Sequence, residues 1–291
     1  MRALRKLHRT DSIADMAREI DQPTYSMPII ARARGYRLYD LHGKRYIDLF
    51  QNNGRAILGH RPEGLSQVMK STASRGLMAE YPSVYDGRLE KILKLMFPEF
   101  LYFRLYANRE RTHEALSHAV GSKITHNIIH DPAMSDSDKG KVAFWRPFLA
   151  DKKFSHNLLI PIMPFPGNFI PDIVCIRSKL IAAKMPPGDM ISPFLIDAMV
   201  KAISLLIREM HSTVGEGSEF QRLIDVFTWD RRGPYINTRM DQVSYIELFK
   251  KALEMGILLP PGENYPIIIP REFSDGEIEG LTRFVRSMTG V

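Results

Sequence analysis

The chain has 291 residues, 44% of them hydrophobic, with one cysteine and a formal charge of +7. That length can bury one large core or two ordinary ones, so neither disulfides nor a structural metal is required. No apolar run approaches the roughly 18 to 20 residues of a membrane span, and the basic N-terminus has no apolar segment behind it, so the expectation is a soluble, cytoplasmic protein. The lysines and arginines are scattered, apart from Arg2, Arg5, Lys6 and Arg9. A nucleic-acid footprint would gather them on one element, so no nucleic-acid partner is expected. The basic start reads as a solvated segment, with an arm for an acidic partner as the other reading.

Along the chain, Ile13, Met16, Ala17 and Ile20 recur at helical spacing, predicting a short amphipathic helix over 11–20. GYRLYD and KRYIDLF flank a turn at His42-Gly43 and predict a hairpin, since glycine supplies the positive φ such turns need. QNNGRAILGHRPEGL interrupts the pattern with glycines and a proline; helices are expected over 63–76 and 88–96. A buried strand is expected over 101–106, then a helix over 112–120 closed by Gly121, then a polar loop to residue 140. VAFW, NLLIPIM and DIVCI, separated by prolines, read as short strands because internal prolines would break a helix. Cys175 lies in the last of these and reads as a buried, inert thiol. Ser192 and Pro193 open a long helix that is apolar nearly all round. SYIELFKKALEMGI reads as a helix ending at Gly256, and YPIIIP as a short strand. Ser274 and Glu277 form a capping box for a last helix with Ile278, Leu281, Val285 and Met288 on one face.

Three constellations invite chemistry, and each has a plainer reading. His126 and His130 in HNIIH have the spacing of a helical metal pair, but no glutamate or third ligand lies nearby, so no metal is expected. Gly54, Gly59 and Gly64 lack the GK[ST] or GxGxxG context of a phosphate loop and read as turn residues. Asp225, Asp230, Arg231 and Arg232 could bind an acid, or form a solvated turn. No GxSxG elbow occurs.

The hairpin and its sequel, ARARGYRLYDLHGKRYIDLF and LGHRPEGL, resemble the N-terminal signature of class III pyridoxal-phosphate-dependent aminotransferases, in the glutamate-1-semialdehyde aminomutase-like branch. Gly35, Asp40, Gly43, Tyr46, Asp48, Leu58, Gly59 and His60 carry the match. LEMGILLPP and the elements after it resemble the family's C-terminal small domain, and Pro193 to Met210 its long helix. The resemblance spans roughly the first 120 and last 120 residues. It implies an α/β, fold type I transferase architecture: a small α+β domain from residues 1–50 and 233–291, around a shortened large sheet domain over 51–232. It also implies a homodimer, because the family assembles its active sites across the subunit interface.

The family places small residues after the strand so that backbone amides cradle the cofactor phosphate at a helix N-terminus. Here Asn108 matches the residue before that cup, and Arg109, Glu110 and Arg111 take its positions. No aromatic-His-Gly motif follows, no Asp-Glu dipeptide occurs, and only about 56 residues separate Ala115 from Pro171. PDIVCIRSKLIAAKMPP resembles the family's cofactor-lysine segment without its glycines and would put Lys179 near the Schiff-base position. The expectation is a cofactor-free, degenerate homologue with a scaffold or binding role. The alternative is an active pyridoxal phosphate aminotransferase or aminomutase using Lys179, with an anion site rebuilt around Arg109 and Arg111. A third reading gives those arginines a different small anionic metabolite.

Overall fold

The computed structural model describes residues 27–124, 128–135, 140–149, 155–165, 171–211 and 229–274, with 276, 277, 279, 280, 282, 283 and 286 beyond them. The expected helix over 11–20, His126, Asp225 and the apolar positions Ile278, Leu281, Val285 and Met288 lie outside the described residues.

Strands β1 (Ile30–Arg34), β2 (Arg37–Asp40) and β3 (Arg45–Asp48) form an antiparallel meander. The expected turn forms around Gly43, φ 81°, and Asp40 Oδ1 secures it by accepting from the His42 and Lys44 amides at 2.9 Å. A strand from the far end of the chain, β10 (Ile257–Leu258), joins β3 in parallel. Helix α6 (Gln242–Glu254) packs on this sheet through Tyr245, Leu248, Phe249 and Ala252, against Leu38, Tyr46 and Ile47. Asp241 caps α6 by accepting from Val243 N and Ser244 N. A second small sheet, β11 (Ile267–Ile268), β9 (Tyr235–Asn237) and β8 (Asp230–Arg232), is antiparallel and meets the first where Ile268 N donates to Leu49 O at 2.7 Å.

The main sheet has the order β4 (Tyr102–Tyr106), β7 (Asp172–Ile176), β6 (Leu158–Pro161), β5 (Val142–Trp145). β4, β6 and β5 run parallel and β7 runs antiparallel between β4 and β6, so the sheet is mixed rather than wholly parallel. Side chains alternate between the two faces, as period two requires. Ile173 and Cys175 join the layer of α1 (Leu65–Ser74), α2 (Val84–Met96) and α5 (Pro193–His211). Val174 and Ile176 face the layer of α3 (Arg109–Val120) and the short α4 (Lys179–Ala182). Covering both faces accounts for the near-continuous apolar strands. Cys175 is buried, as its sequence context suggested, and burial pushes its thiol well above its ordinary value.

Helix starts differ from expectation where a cap decides them. α2 begins at Val84, not 88, because Ser83 Oγ accepts from Tyr85 N and Asp86 Oδ2 accepts from Ser83 N at 2.6 Å. α3 begins at Arg109, three residues early, because Asn108 Oδ1 accepts from Arg111 N at 2.9 Å. Ser192 opens α5 through its backbone carbonyl, while its hydroxyl turns to Leu77 O. Near the C-terminus half of the expected capping box forms: Glu277 Oε2 accepts from Ser274 N at 2.8 Å, while the Ser274 hydroxyl donates to the same oxygen at 3.1 Å and Glu277 N donates to the Ser274 carbonyl. Among the described residues no helix is long and apolar enough to cross a membrane.

Candidate functional site

In α/β sheets ligands collect outside the carboxyl ends of the parallel strands. Here that edge is reached by Tyr106, Trp145 and Pro161, and by Asp172 at the start of antiparallel β7. A left-handed turn closes over it: Gln51, Asn52, Asn53 and Gly54 have φ of 48°, 49°, 56° and 88°. Consecutive non-glycine residues in this region are strained by about 1 kcal/mol or more each, least for asparagine, and need their surroundings to hold them. Asp48 Oδ1 accepts from Phe50 N and Gln51 N, while its Oδ2 pairs with His60 Nε2 at 2.7 Å. Gln51 Nε2 donates to Ile268 O, and Arg146 donates to Asn53 O and Oδ1 at 3.1 and 2.9 Å.

The turn hands the chain to Arg55, whose guanidinium is buried and donates to Asp172 Oδ1 at 2.8 Å. Arg109, first residue of α3, grips the same carboxylate with both ends of its fork, Nε to Oδ2 at 2.7 Å and Nη2 to Oδ1 at 3.1 Å. The Thr112 hydroxyl lies 3.2 Å from Oδ2 and 2.9 Å from Asn108 O, and donates to one of them at a time. Asp172 is 4% exposed and Arg55 is buried with it, while Arg109 reaches the same carboxylate from a side chain that is 36% exposed. Burial lowers the Arg55 pKa from its ordinary value; Asp172 opposes that and Arg109 adds to it.

Arg111 turns elsewhere, to Glu114 at 2.6 Å and Asp189 at 3.1 Å, and these two hydrogen bonds raise its pKa, Asp189 first. Asp189 also accepts from Ala107 N at 2.8 Å, placing a second carboxylate beside the start of α3. Arg109 and Arg111 therefore have separate carboxylate partners and do not converge, so the reading in which both grip one small anion lacks its geometry. Glu110 is exposed on the first turn. A further buried pair completes the edge: Arg146 donates to Asp131 from Nε at 2.7 Å and Nη2 at 2.6 Å, over the Tyr235 ring. Burial alone would lower the Arg146 pKa, and Asp131 more than offsets it.

Lys179 stands apart. In the β4–β7 register Asp172 is opposite Tyr106 and Ile176 opposite Tyr102, so Asp172 shares an edge with the α3 N-terminus and the chain leaves β7 at the other edge. Lys179 is exposed there, on the first turn of α4. The four residue steps of β7 alone separate the two edges by about 13 Å. The alternative that joins Lys179 to an anion site at Arg109 and Arg111 meets this obstacle as well.

Other singled-out residues take plainer places. His130 bridges Ala143, and its ring stacks on His156 at 5.5 Å. Among the described residues no group of three or more His, Cys, Asp or Glu is arranged to hold a metal. Asp230 pairs with Arg232 and Arg239 at 2.8 and 2.9 Å on β8. Gly54, Gly59 and Gly64 all have positive φ, as turn residues do. The sequence reading missed Arg55, Asp131, Arg146 and Asp172. Their available signal was a charged residue abutting an apolar strand run, as in VAFWR and PDIVCI, where burial demands a partner.

The cup positions do not fit the phosphate of pyridoxal phosphate. A protein carboxylate already lies against the first turn of α3, held by Arg55, Arg109 and Thr112. A phosphate dianion placed there would face Asp172, Asp189 and Glu110.

No family model matches the chain. An uncharacterised protein of Borreliella burgdorferi is 28% identical over 259 residues, covering 89% of this chain and 90% of its own length. Glutamate-1-semialdehyde 2,1-aminomutase of Heliobacterium modesticaldum is 33% identical over 93 residues, 32% of this chain and only 21% of that enzyme's length. Among solved structures, ornithine aminotransferase from Plasmodium yoelii superposes with a TM-score of 0.71 at 14% identity, covering 96% of this chain and 98% of that one. The chain therefore has the fold of the fold type I aminotransferases, and its sequence similarity to glutamate-1-semialdehyde 2,1-aminomutase is confined to about a third of its length.

Proposed function

We propose that this chain is a cofactor-free derivative of the aminotransferase fold, used as a binding or assembly scaffold. One observation carries the reading: the Asp172 carboxylate, gripped by Arg55 and Arg109, lies at the helix terminus where the fold would receive a phosphate. The negative charge a cofactor would bring is thus supplied from within the chain, and the guanidiniums that could attract it are already paired. The position of Lys179 at the opposite edge supports the same reading.

The scaffold acts as a homodimer in this reading. Met78, Tyr81 and Val84 lie close in sequence before and at the start of α2 and are 54%, 66% and 71% exposed, the kind of apolar surface a second copy would cover. Light scattering coupled to size exclusion, with and without charged replacements at these three positions, checks it; a monomer in both cases removes the dimer from the proposal.

The test of the cofactor-free reading is an absorption titration of the purified protein with pyridoxal phosphate, followed by borohydride reduction and peptide mapping. The expected result is no saturable band and no label concentrated on one lysine. A saturable band with label fixed on Lys179 would overturn the proposal and establish the active aminotransferase or aminomutase.

A further inference from the structure

Strand β1 ends the first small sheet, and among the described residues only β2 pairs with it. The turn between them has two residues, Gly35 and Tyr36, and is closed by Arg34 opposite Arg37, with Arg32 opposite Tyr39 farther along. In an antiparallel ladder the residue between two hydrogen-bonded pairs turns its backbone the other way, so the Ala33 N–H and C=O face the open edge. Such an edge is a template for another strand.

Arg32 and Arg34 lie two residues apart and therefore on one face. Tyr39 and Arg45 continue the Arg32 row across the sheet, and Arg37 continues that of Arg34. Arg37 and Arg45 are committed to Glu277, at 2.6 and 3.6 Å. Arg32 and Arg34 are exposed, and among the described residues neither is in an ion pair. Arg32 is nevertheless held in place, its guanidinium carbon 4.0 Å from the centroid of the Tyr39 ring. Stacking of this kind leaves the N–H donors in the guanidinium plane free for a carboxylate. At the other end of the strand, exposed Ile29 and Leu41 lie side by side, where Leu41 N donates to Ile29 O at 3.2 Å.

Charge and backbone together select the occupant. A second copy paired antiparallel about the middle of β1 sets Arg32 against Arg32 or Arg34, and like charges directly opposite destabilise a sheet. A phosphodiester chain satisfies the arginines but brings no donor in register with the Ala33 carbonyl. A peptide strand brings both an N–H and a C=O at that spacing, and carboxylates at its alternate residues fall opposite Arg32 and Arg34. We propose that β1 is a docking edge for an acidic segment of another protein, taken up as an extended strand with its carboxylates on Arg32 and Arg34. The arginines that keep neutral and basic strands off the edge admit this one. β1 belongs to the small sheet and shares no residue with the Asp172 cluster, so docking here is independent of the cofactor-free reading.

The test is fluorescence anisotropy of the full chain with a labelled peptide of alternating glutamate and threonine. Saturable binding is expected, and Arg32→Glu with Arg34→Glu should weaken it by about tenfold or more, as loss of charge-assisted contacts implies. A similar loss is expected when the glutamates are gathered into one block, or when the peptide amides are N-methylated. Lysine in place of the peptide's glutamates should restore binding to the doubly substituted chain. Both arginines are exposed, so unfolding curves should be unchanged and a folding defect will not mimic the result. The proposal is overturned by absence of saturable binding, by binding untouched in the doubly substituted chain, or by a blocked peptide, an N-methylated peptide or a uridine oligonucleotide binding as tightly as the alternating one.

Discussion

The N-terminal hairpin and the carboxyl edge of the main sheet use charge in opposite ways. At the hairpin Asp40 serves the turn from the surface, and Lys44 reaches the last carbonyls of α6 in open solvent, where such contacts contribute little. At the carboxyl edge, Asp172 with Arg55 and Arg146 with Asp131 are buried pairs, where removing one partner strands the other away from water. The hairpin therefore depends on backbone geometry and the edge on charge pairing, so different substitutions should break them.

The largest effect belongs to the edge. Asp172→Ala leaves Arg55 and Arg109 facing one another without their anion, and a loss of about 3 kcal/mol is expected in urea unfolding. Inorganic phosphate should restore part of that loss in the variant and leave the wild type unmoved; equal effects on both would remove the idea that Asp172 occupies an anion position. Next comes the hairpin's own weak point. Gly256 has φ 78°, and a Cβ there would lie 2.8 Å from Arg45 O, so Gly256→Ala should cost about 2 kcal/mol. Gly43→Ala, with positive φ but open space around it, should cost about 1 kcal/mol. Equal losses at the two glycines would mean that close approach does not matter there.

A pH titration sharpens the comparison further. Arg37 holds Glu277 through bonds of 2.6 and 2.7 Å, and that contact, with capping by Ser274, brings the Glu277 pKa down to about 2. A depressed carboxylate contributes stability that is full above its unfolded value of 4.5 and is lost as pH falls toward 2. Glu277→Gln should flatten that acid limb and leave the Asp172 effect intact. The smallest change is expected at Lys179: Lys179→Ala, at an exposed turn, should alter stability by less than about 0.5 kcal/mol. A larger loss would show that this lysine has a partner and weaken its reading as a surface residue.

Local rules made the hairpin, the Gly121 stop of α3 and the contact of Glu277 with the Ser274 amide legible in the sequence, because each is decided within a few residues. The early start of α2 was legible too, in Ser83 and Asp86, but the following apolar period drew the boundary inward. The antiparallel run of β7 was not legible, since a strand buried on both faces reads the same in either direction. Nor was the edge cluster: Arg55 and Asp172 are 117 residues apart, and nothing local pairs them. Arg109 stood out only as a departure from a pattern of small residues, and its carboxylate partner was hidden in a strand.

The parallel pairing of β10 with β3 sets a timetable for the chain as it is made. Ile47 meets Ile257, 210 residues later, and Leu49 waits for Ile268. At ordinary synthesis rates of about 5 to 20 residues per second, the meander leaves the ribosome roughly 10 to 40 s before the strand and helix that cover it. During that interval Leu38, Tyr46 and Ile47 have no C-terminal cover. The nascent protein carries an open apolar sheet face through most of its synthesis, which makes this meander the segment a chaperone would be expected to hold first.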